Sequence, residues 1–215
     1  MTVSHRFLIV LDADSTLIED EVIELLADAA GSRELVAAVT ERAMRGELDF
    51  AESLRERVRT LAGLPTGVFA DVGRMIRPTP GVHDLIAGIH AHGSRVGVVS
   101  GGFHELLDPL ADALGLDHWR ANRLEVVDGH LTGELVGPII DAAAKADALR
   151  EWAAADQVDI RQTVAVGDGA NDLEMMAVAG LSVAFNAKPV VKERADVVID
   201  VCDLSQVLPL VGLRG

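Results

Sequence analysis

A chain of 215 residues is long enough for one full domain with a small insertion and too short for several. Hydrophobic residues at 49% and charged residues at 25% give the balance of a soluble globular protein; with aromatics at 3% and no Tyr, the core has to be built from Val, Leu, Ile and Ala. The 19 basic and 34 acidic residues leave a formal charge of -15, which argues against nucleic acid or an anionic membrane as partner, because both need neutralising Lys and Arg.

An anionic substrate therefore needs a local positive site, such as a metal ion with a few selected cations. The single Cys202 has no partner for an intramolecular disulfide, which fits a reducing compartment. No apolar run approaches the roughly 18–20 residues of a membrane span. The N-terminal MTVSHRFLIVLD lacks the long apolar run and small-residue cleavage site of a signal peptide, so the expected location is the cytoplasm.

Phe7 to Leu11 is a short apolar run stopped by Asp12, the pattern of a buried strand whose carboxyl end presents acids. Residues 21–77 then show helical spacing with no strand between: Val22 to Ala30, Glu34 to Met44, Ala51 to Leu61 and Val68 to Ile76. Such an insert makes a small helical cap, dividing the chain into an α/β core (1–20 and 78–215) and a cap (21–77).

Helical spacing returns at Gly81 to His92, followed by a strand from Arg95 to Val99 ahead of Ser100-Gly-Gly, and a helix from His104 to Leu114. Asp128-Gly129, between apolar runs from Leu124 to Thr132, signals a short β-hairpin. Beyond it come a helix from Ala142 to Ala154, a strand from Thr163 to Val166 and a helix from Asn171 to Ala179. Strands at Leu181 to Ala184 and Val197 to Ile199 complete the series. The alternation predicts an α/β fold with a doubly wound, Rossmann-like parallel sheet. Such sheets bind ligands at the carboxyl ends of their strands, where the polar motifs fall.

In Asp12-Ala13-Asp14-Ser15-Thr16 the two carboxylates reach one ligand if strand geometry persists, since residues two apart share a side. If the chain curls on leaving the strand, one residue offers its backbone carbonyl instead. Two acids so close repel, so the site holds a divalent cation better than it stays empty. With the cation bound, one carboxylate attacks phosphorus while the other protonates the leaving oxygen. The plainer reading is a loop cap.

Asp168, in Gly167-Asp-Gly-Ala-Asn-Asp172, supplies a third carboxylate, and its flanking glycines permit a tight turn. Taken alone, Asp172 reads as a helix cap. Ser100-Gly101-Gly102 offers a hydroxyl and backbone N–H groups ahead of a helix, a cradle for phosphate oxygens, although the tripeptide is also common in ordinary turns. Lys145, near a helix start, reads by itself as a solvated lysine; beside a phosphoryl group it offsets negative charge.

An acid pair, Ser-Gly-Gly, Lys and Gly-Asp-Gly-x-Asn-Asp in this order resemble the haloacid dehalogenase superfamily of phosphatases. Further segments are similar to its phosphoserine-hydrolysing family: Glu21, Met44-Arg-Gly-Glu-Leu-Asp-Phe50, Ser53-Leu-Arg-Glu-Arg-Val58, Val99-Ser-Gly-Gly-Phe103 and Ala121-Asn-Arg-Leu124. The likeness runs from about Phe7 to Leu208.

The resemblance implies that Asp12 is the nucleophile that becomes an aspartyl phosphate and that Asp14 is the general acid, then base. One Mg²⁺ per active site would be held by Asp12, the backbone carbonyl of Asp14 and Asp168, with Asp172 behind them. Ser100 and Lys145 would bind phosphoryl oxygens with help from the Gly101 N–H. Asn171 would face the substrate or attacking water.

On the cap, Glu21 would receive the amino group of phosphoserine and Arg57 its carboxylate, while Met44 and Phe50 close an apolar lid. Read singly, Glu21 is one of three helix-start acids, Arg57 lies in a solvated run and Met44 and Phe50 are core residues.

Ala13 stands where relatives often carry a bulky residue, and His104 where they often carry an acid. No regulatory extension precedes the first strand, so feedback by serine through such a domain is not expected. The partner implied is a small phosphate monoester, phosphoserine first; monomer and homodimer both fit the composition. A phosphoryl transferase to homoserine, or a phosphatase for another small monoester, keeps Asp12, Asp14, Asp168 and Lys145 and relaxes the cap. A receiver-like module that accepts and holds phosphate lacks both a helical cap and an acid beside the nucleophile.

Overall fold

The computed structural model describes residues 6–44 and 47–212, the side chain of Met44 excepted. Seven strands form one sheet in the order β4-β3-β2-β1-β5-β6-β7, from β1 (Leu8–Leu11), β2 (Arg95–Phe103), β3 (His118–Val127), β4 (His130–Val136), β5 (Thr163–Gly167), β6 (Leu181–Phe185) and β7 (Val197–Ile199). Every neighbouring pair is parallel except β3 with β4. This is the expected doubly wound α/β sheet.

Alternation along the strands sends side chains to two cores. Leu8 and Val10 pack with Val99, Ala165 and Ala184 under α7 (Ala142–Ala155) and α8 (Leu173–Val178). Ile9 and Leu11 pack with Val96, Val98, Val164 and Phe185 on the opposite face, with α5 (Val82–Ala91) and a 3-10 helix over Leu204–Val211. Because both faces are covered, the central strand β1 is apolar and buried throughout.

Between β1 and α5 lie α1 (Val22–Ala30), α2 (Arg33–Met44), α3 (Phe50–Arg59) and α4 (Val68–Gly73). Their buried residues, among them Leu26, Leu54, Val58 and Val72, join the same cluster as Ile9 and Leu11. The entry and exit of this helical insert run side by side: Glu19 N–H donates to Arg77 O at 2.9 Å, Thr79 N–H to Leu17 O at 3.0 Å, and Arg77 grips the Asp20 carboxylate at 2.7 Å. The insert also reaches the hairpin, where Gly63 N–H donates to Leu131 O and Leu131 N–H to Leu64 O, each at 2.8 Å.

Two expectations need correction. The hairpin is not a short appendage, because β3 begins at His118 and its first half pairs in parallel with β2 (Val98 opposite Trp119) before its second half pairs with β4. The helix expected from Asn171 opens as a 3-10 turn over Ala170–Asp172, with α8 starting at Leu173. The turn itself is as expected: Asp128 (φ 49°) and Gly129 (φ 73°) both adopt the left-handed conformation that a two-residue type I′ hairpin requires. Helix α6 (His104–Leu114) and α9 (Pro189–Lys192) complete the elements. Among the described residues, no helix is long and apolar enough to cross a membrane.

Candidate active site

Asp12 ends β1 while still held in the sheet, its N–H donating to Val166 O at 2.9 Å. Its carboxylate accepts from Ala13 N at 2.8 Å, and the chain then winds into a tight turn over Ala13–Leu17, with Ser15 left-handed (φ 58°, ψ 8°). The chain therefore curls, and the two acids do not share a strand face. The Asp14 carboxyl lies apart, with Oδ1 buried and without a hydrogen-bond partner among the described residues. Burial, then the negative charges of Glu21 and Asp12, hold this carboxyl well above the usual carboxylate range. A shift in this direction favours the protonated form, the one that can donate a proton.

Behind Asp12 stands Lys145, presented by α7 and fully buried. Its Nζ donates to Asp12 Oδ1 at 2.6 Å and to Asp172 Oδ1 at 2.7 Å. Burial works against the ammonium, but these two carboxylates outweigh it and raise its pKa. The solvated-lysine reading of Lys145 thus fails. The second oxygen of Asp172 accepts from Gly169 N at 3.0 Å. Gly167 is a glycine for a spatial reason, since a Cβ there would sit 2.4 Å from Asp172 Oδ2.

Asp12, Asp168 and Asp172 bring one carboxylate oxygen each within 4.8 Å of the others, a buried all-oxygen donor set that could hold a metal ion. Burial, then repulsion from Asp172, pushes the Asp12 carboxyl up to about 7, against the pull of Lys145. Burial likewise pushes Asp168 up to about 6, opposed chiefly by Lys188, whose Nζ is 3.8 Å from Asp168 Oδ2. Hard oxygen donors that repel one another when empty fit a small divalent cation. Lys145 and Gly169 already occupy both oxygens of Asp172, which leaves Asp12 and Asp168 the freer donors.

Ser100, Gly101 and Gly102 form the irregular end of β2, where pairing with β3 shifts register between Val99 and Phe103. They lie at the strand's end ahead of a helix, as expected, although the strand itself runs on to Phe103 and α6 follows directly at His104. Ser100 Oγ accepts from Gly102 N at 2.8 Å. Phe50 lies over Gly101, where a Cβ would approach its Cζ to 3.1 Å.

A cavity of about 110 Å³ opens between sheet and insert. Asp12, Asp14, Asp168 and Gly101 line one side; Glu21, Phe50 and Arg57 line the other, and Asn171 and Lys188 also reach it. Ser100, Lys145 and Asp172 stand behind this wall, each almost wholly buried.

Glu21 Oε1 accepts from Ser15 Oγ at 2.8 Å, which ties the insert's first helix to the turn that follows Asp12. The Arg57 guanidinium donates through Nε to Ser53 O at 3.2 Å. Burial lowers its pKa against the opposing charges of Glu21, Asp14 and Glu24. The Met44 side chain lies outside the described residues. Sequence reasoning missed Lys188, although Asn186-Ala-Lys-Pro follows β6 as the other site motifs follow their strands. It also gave no account of His104. Ala121 N donates to its Nε2 at 3.2 Å, so Nδ1 carries the proton and donates to Asp108 Oδ1 at 2.6 Å.

The family model for haloacid dehalogenase-like hydrolases matches residues 9–177. A phosphoserine phosphatase of Mycobacterium tuberculosis is 54% identical over 209 residues, covering 97% of this chain but 51% of that protein, so the chain spans about half its length. A phosphoserine phosphatase of Streptococcus thermophilus is 48% identical over 208 residues and 97% of both chains. A solved phosphoserine phosphatase structure with a phospho-aspartyl intermediate analogue superposes with a TM-score of 0.90 at 42% identity, covering 96% of this chain and 99% of the other. On family match, full-length likeness and shared fold, the chain belongs to the haloacid dehalogenase-like hydrolases and, within them, to the phosphoserine phosphatase family.

Proposed function

We propose that this chain hydrolyses O-phospho-L-serine to L-serine and phosphate, in the cytoplasm, with residues 21–77 acting as a cap over the active site. One observation carries the reading: Glu21 and Arg57 face Asp12 and Asp14 across a single small cavity with Phe50 lying over Gly101. Phosphoserine carries an ammonium, a carboxylate and a phosphoryl group on three carbons. Glu21 suits the first and Arg57, with two parallel charge-assisted bonds, the second. The acid pair then meets the third.

In the reaction, the Asp12 carboxylate attacks phosphorus and the bond from phosphorus to the serine oxygen breaks. Asp14, whose burial favours the protonated form, gives its proton to that oxygen, and serine leaves. Water then attacks the aspartyl phosphate while Asp14 takes one of its protons. The phosphorus bond to Asp12 breaks, phosphate departs, and Asp14 is again the acid. Lys145 holds Asp12 Oδ1 throughout and, with Ser100 and the Gly101 N–H, meets the charge on the phosphoryl oxygens. Asn171, at the cavity, faces the substrate or the water.

One Mg²⁺ per site fits the donor set, with Asp12, Asp168 and the Asp14 carbonyl as its protein ligands and Asp172 behind them; when bound it supplies positive charge against the phosphoryl oxygens. Phe50, with Met44, would exclude water while the phosphoryl group transfers.

The test is phosphate release with Mg²⁺ from phosphoserine, phosphothreonine, a sugar phosphate and an aryl phosphate, with Asp12→Asn as control. Preference for phosphoserine, lost in the control, is the expected result. Release from the aryl phosphate alone would sink the substrate and keep the chemistry.

A further inference from the structure

Asn122 on β3 is almost wholly buried, and both halves of its amide are in use. Nδ2 donates to Gly101 O at 2.8 Å, and Oδ1 accepts from Ile140 N at 2.9 Å. The partners are a backbone carbonyl and a backbone N–H, so the orientation of the amide is unambiguous.

The carbonyl it holds belongs to the same peptide group as the Gly102 N–H, which donates to Ser100 Oγ at 2.8 Å. Planarity couples the two ends, because fixing the oxygen fixes the direction of the N–H. This peptide joins two glycines, and with no Cβ on either side a flip of its plane meets little steric resistance. Turned over, it would aim a carbonyl oxygen where an N–H now points and withdraw the donor from Ser100. In the observed orientation the Gly102 N–H uses a lone pair of Ser100 Oγ. The Ser100 O–H then remains a donor, bonded to no acceptor among the described residues.

The second bond reaches the other phosphate-facing element. Ile140 precedes Asp141, whose side chain caps α7 by accepting from Ala144 N at 2.9 Å, and Lys145 N–H donates to Asp141 O at 3.0 Å. One buried amide therefore ties the Ser-Gly-Gly end of β2 to the start of the helix that presents Lys145. Neither Asn122 atom lines the cavity.

We propose that Asn122 is a positioning residue for phosphoryl binding: it locks the Gly101–Gly102 peptide so that Ser100 presents its hydroxyl hydrogen to the phosphate, and it registers α7 against that cradle. The inference rests on the reading of Ser100 and Lys145 as phosphoryl ligands.

The experiment compares wild type with Asn122→Asp, Asn122→Ala, Ser100→Ala and the Asn122→Asp/Ser100→Ala double variant. Inhibition constants for inorganic phosphate and for serine are read against turnover of phosphoserine. Asn122→Asp keeps an acceptor for Ile140 N–H but sets a carboxylate against the Gly101 carbonyl. It should weaken inorganic phosphate about tenfold, the effect of one lost hydrogen bond, and leave serine within about twofold. In the Ser100→Ala background most of that loss should vanish, because the two residues act in series.

Equal weakening of phosphate and serine, an unchanged phosphate constant, or an additive double variant would overturn the assignment. So would an effect confined to Asn122→Ala. Should Asn122→Asp not fold, Asn122→Ser reads the same split. If wild type turns over only the aryl phosphate, the substrate reading fails by itself, and the phosphate constant measured against that substrate still tests Asn122.

Discussion

Lys145 and Asp172 form an ion pair, 2.7 Å from Nζ to Oδ1, in which neither side chain keeps any exposed surface. Removing one member of a buried pair leaves the other uncompensated, at about 3–5 kcal/mol. Asp172→Asn should fall at the low end, about 3 kcal/mol, because Lys145 retains Asp12. The new amide also sets a donor against either Lys145 or the Gly169 N–H. Urea unfolding would show this as a lower midpoint at unchanged slope. A midpoint equal to wild type would mean that the pair does not act as a unit.

Arg57 lines the cavity and is the residue proposed to hold the carboxylate of phosphoserine. Arg57→Lys retains the charge and loses the two-pronged geometry, while Arg57→Ala loses both. The Ala variant should raise KM for phosphoserine about a hundredfold and leave turnover of an aryl phosphate within about twofold, since charge-assisted hydrogen bonds contribute about 1.5–3 kcal/mol. Steady-state kinetics on both substrates check it.

Gly101→Ala probes the lid. The added Cβ would come to 3.1 Å from Phe50 Cζ, so the ring has to give way. Overpacking of this kind costs about 1–3 kcal/mol, which predicts about a tenfold rise in KM for phosphoserine. In a Phe50→Ala background the same substitution should have no further effect. Kinetics of the double variant provide the check.

Metal affinity should depend on pH with a definite sign. The Asp12 carboxyl is pushed up to about 7 and Asp168 to about 6, by burial first in both cases. A cation binds their ionised forms, so Mg²⁺ affinity rises with pH to about 7 and then levels off. Below that, binding releases protons.

The metal-free fold has the reverse preference. Folded values above the unfolded value of about 3.9 make these groups a growing liability from about pH 4 to about pH 7. Mg²⁺ should therefore raise the melting temperature more at about pH 7.5 than at about pH 5. An increment equal at both would contradict the assignment of these carboxylates to the metal.

Where local patterning decides an element, the sequence is a good guide: α6 occupies His104–Leu114, and α1 Val22–Ala30, as expected. The first half of β3 was illegible because His118-Trp-Arg carries no apolar alternation. Its polar side chains are sheltered from outside the strand, His118 stacked on Trp152 at 5.3 Å and Arg120 over the same ring at 5.6 Å.

The local reading of Lys145 as a solvated lysine failed for the same reason on a longer scale. Nothing near it in the chain distinguishes it from a surface lysine, because the acids that hold it are 133 and 27 residues away. Strand-end acids and glycines were readable because the topology of a parallel sheet collects them. Partners supplied by the fold, such as Asn122 for Gly101 or the Ala121 N–H for His104, were not.

The pairing of residues 63–66 with the hairpin has a consequence for solubility. β4 is the last strand of its sheet, and a terminal strand offers its free N–H and C=O groups as a template to any other chain. Here Gly63 and Leu64 occupy the outward groups of Leu131, and Thr66 N–H donates to Gly129 O at 2.9 Å. The hairpin beside them carries Val126, Val127 and Val136 in the open. The insert thus shields the sheet against edge-to-edge growth. A shortened insert would leave an adhesive strand beside an apolar hairpin, and such a protein would aggregate before its chemistry was tested.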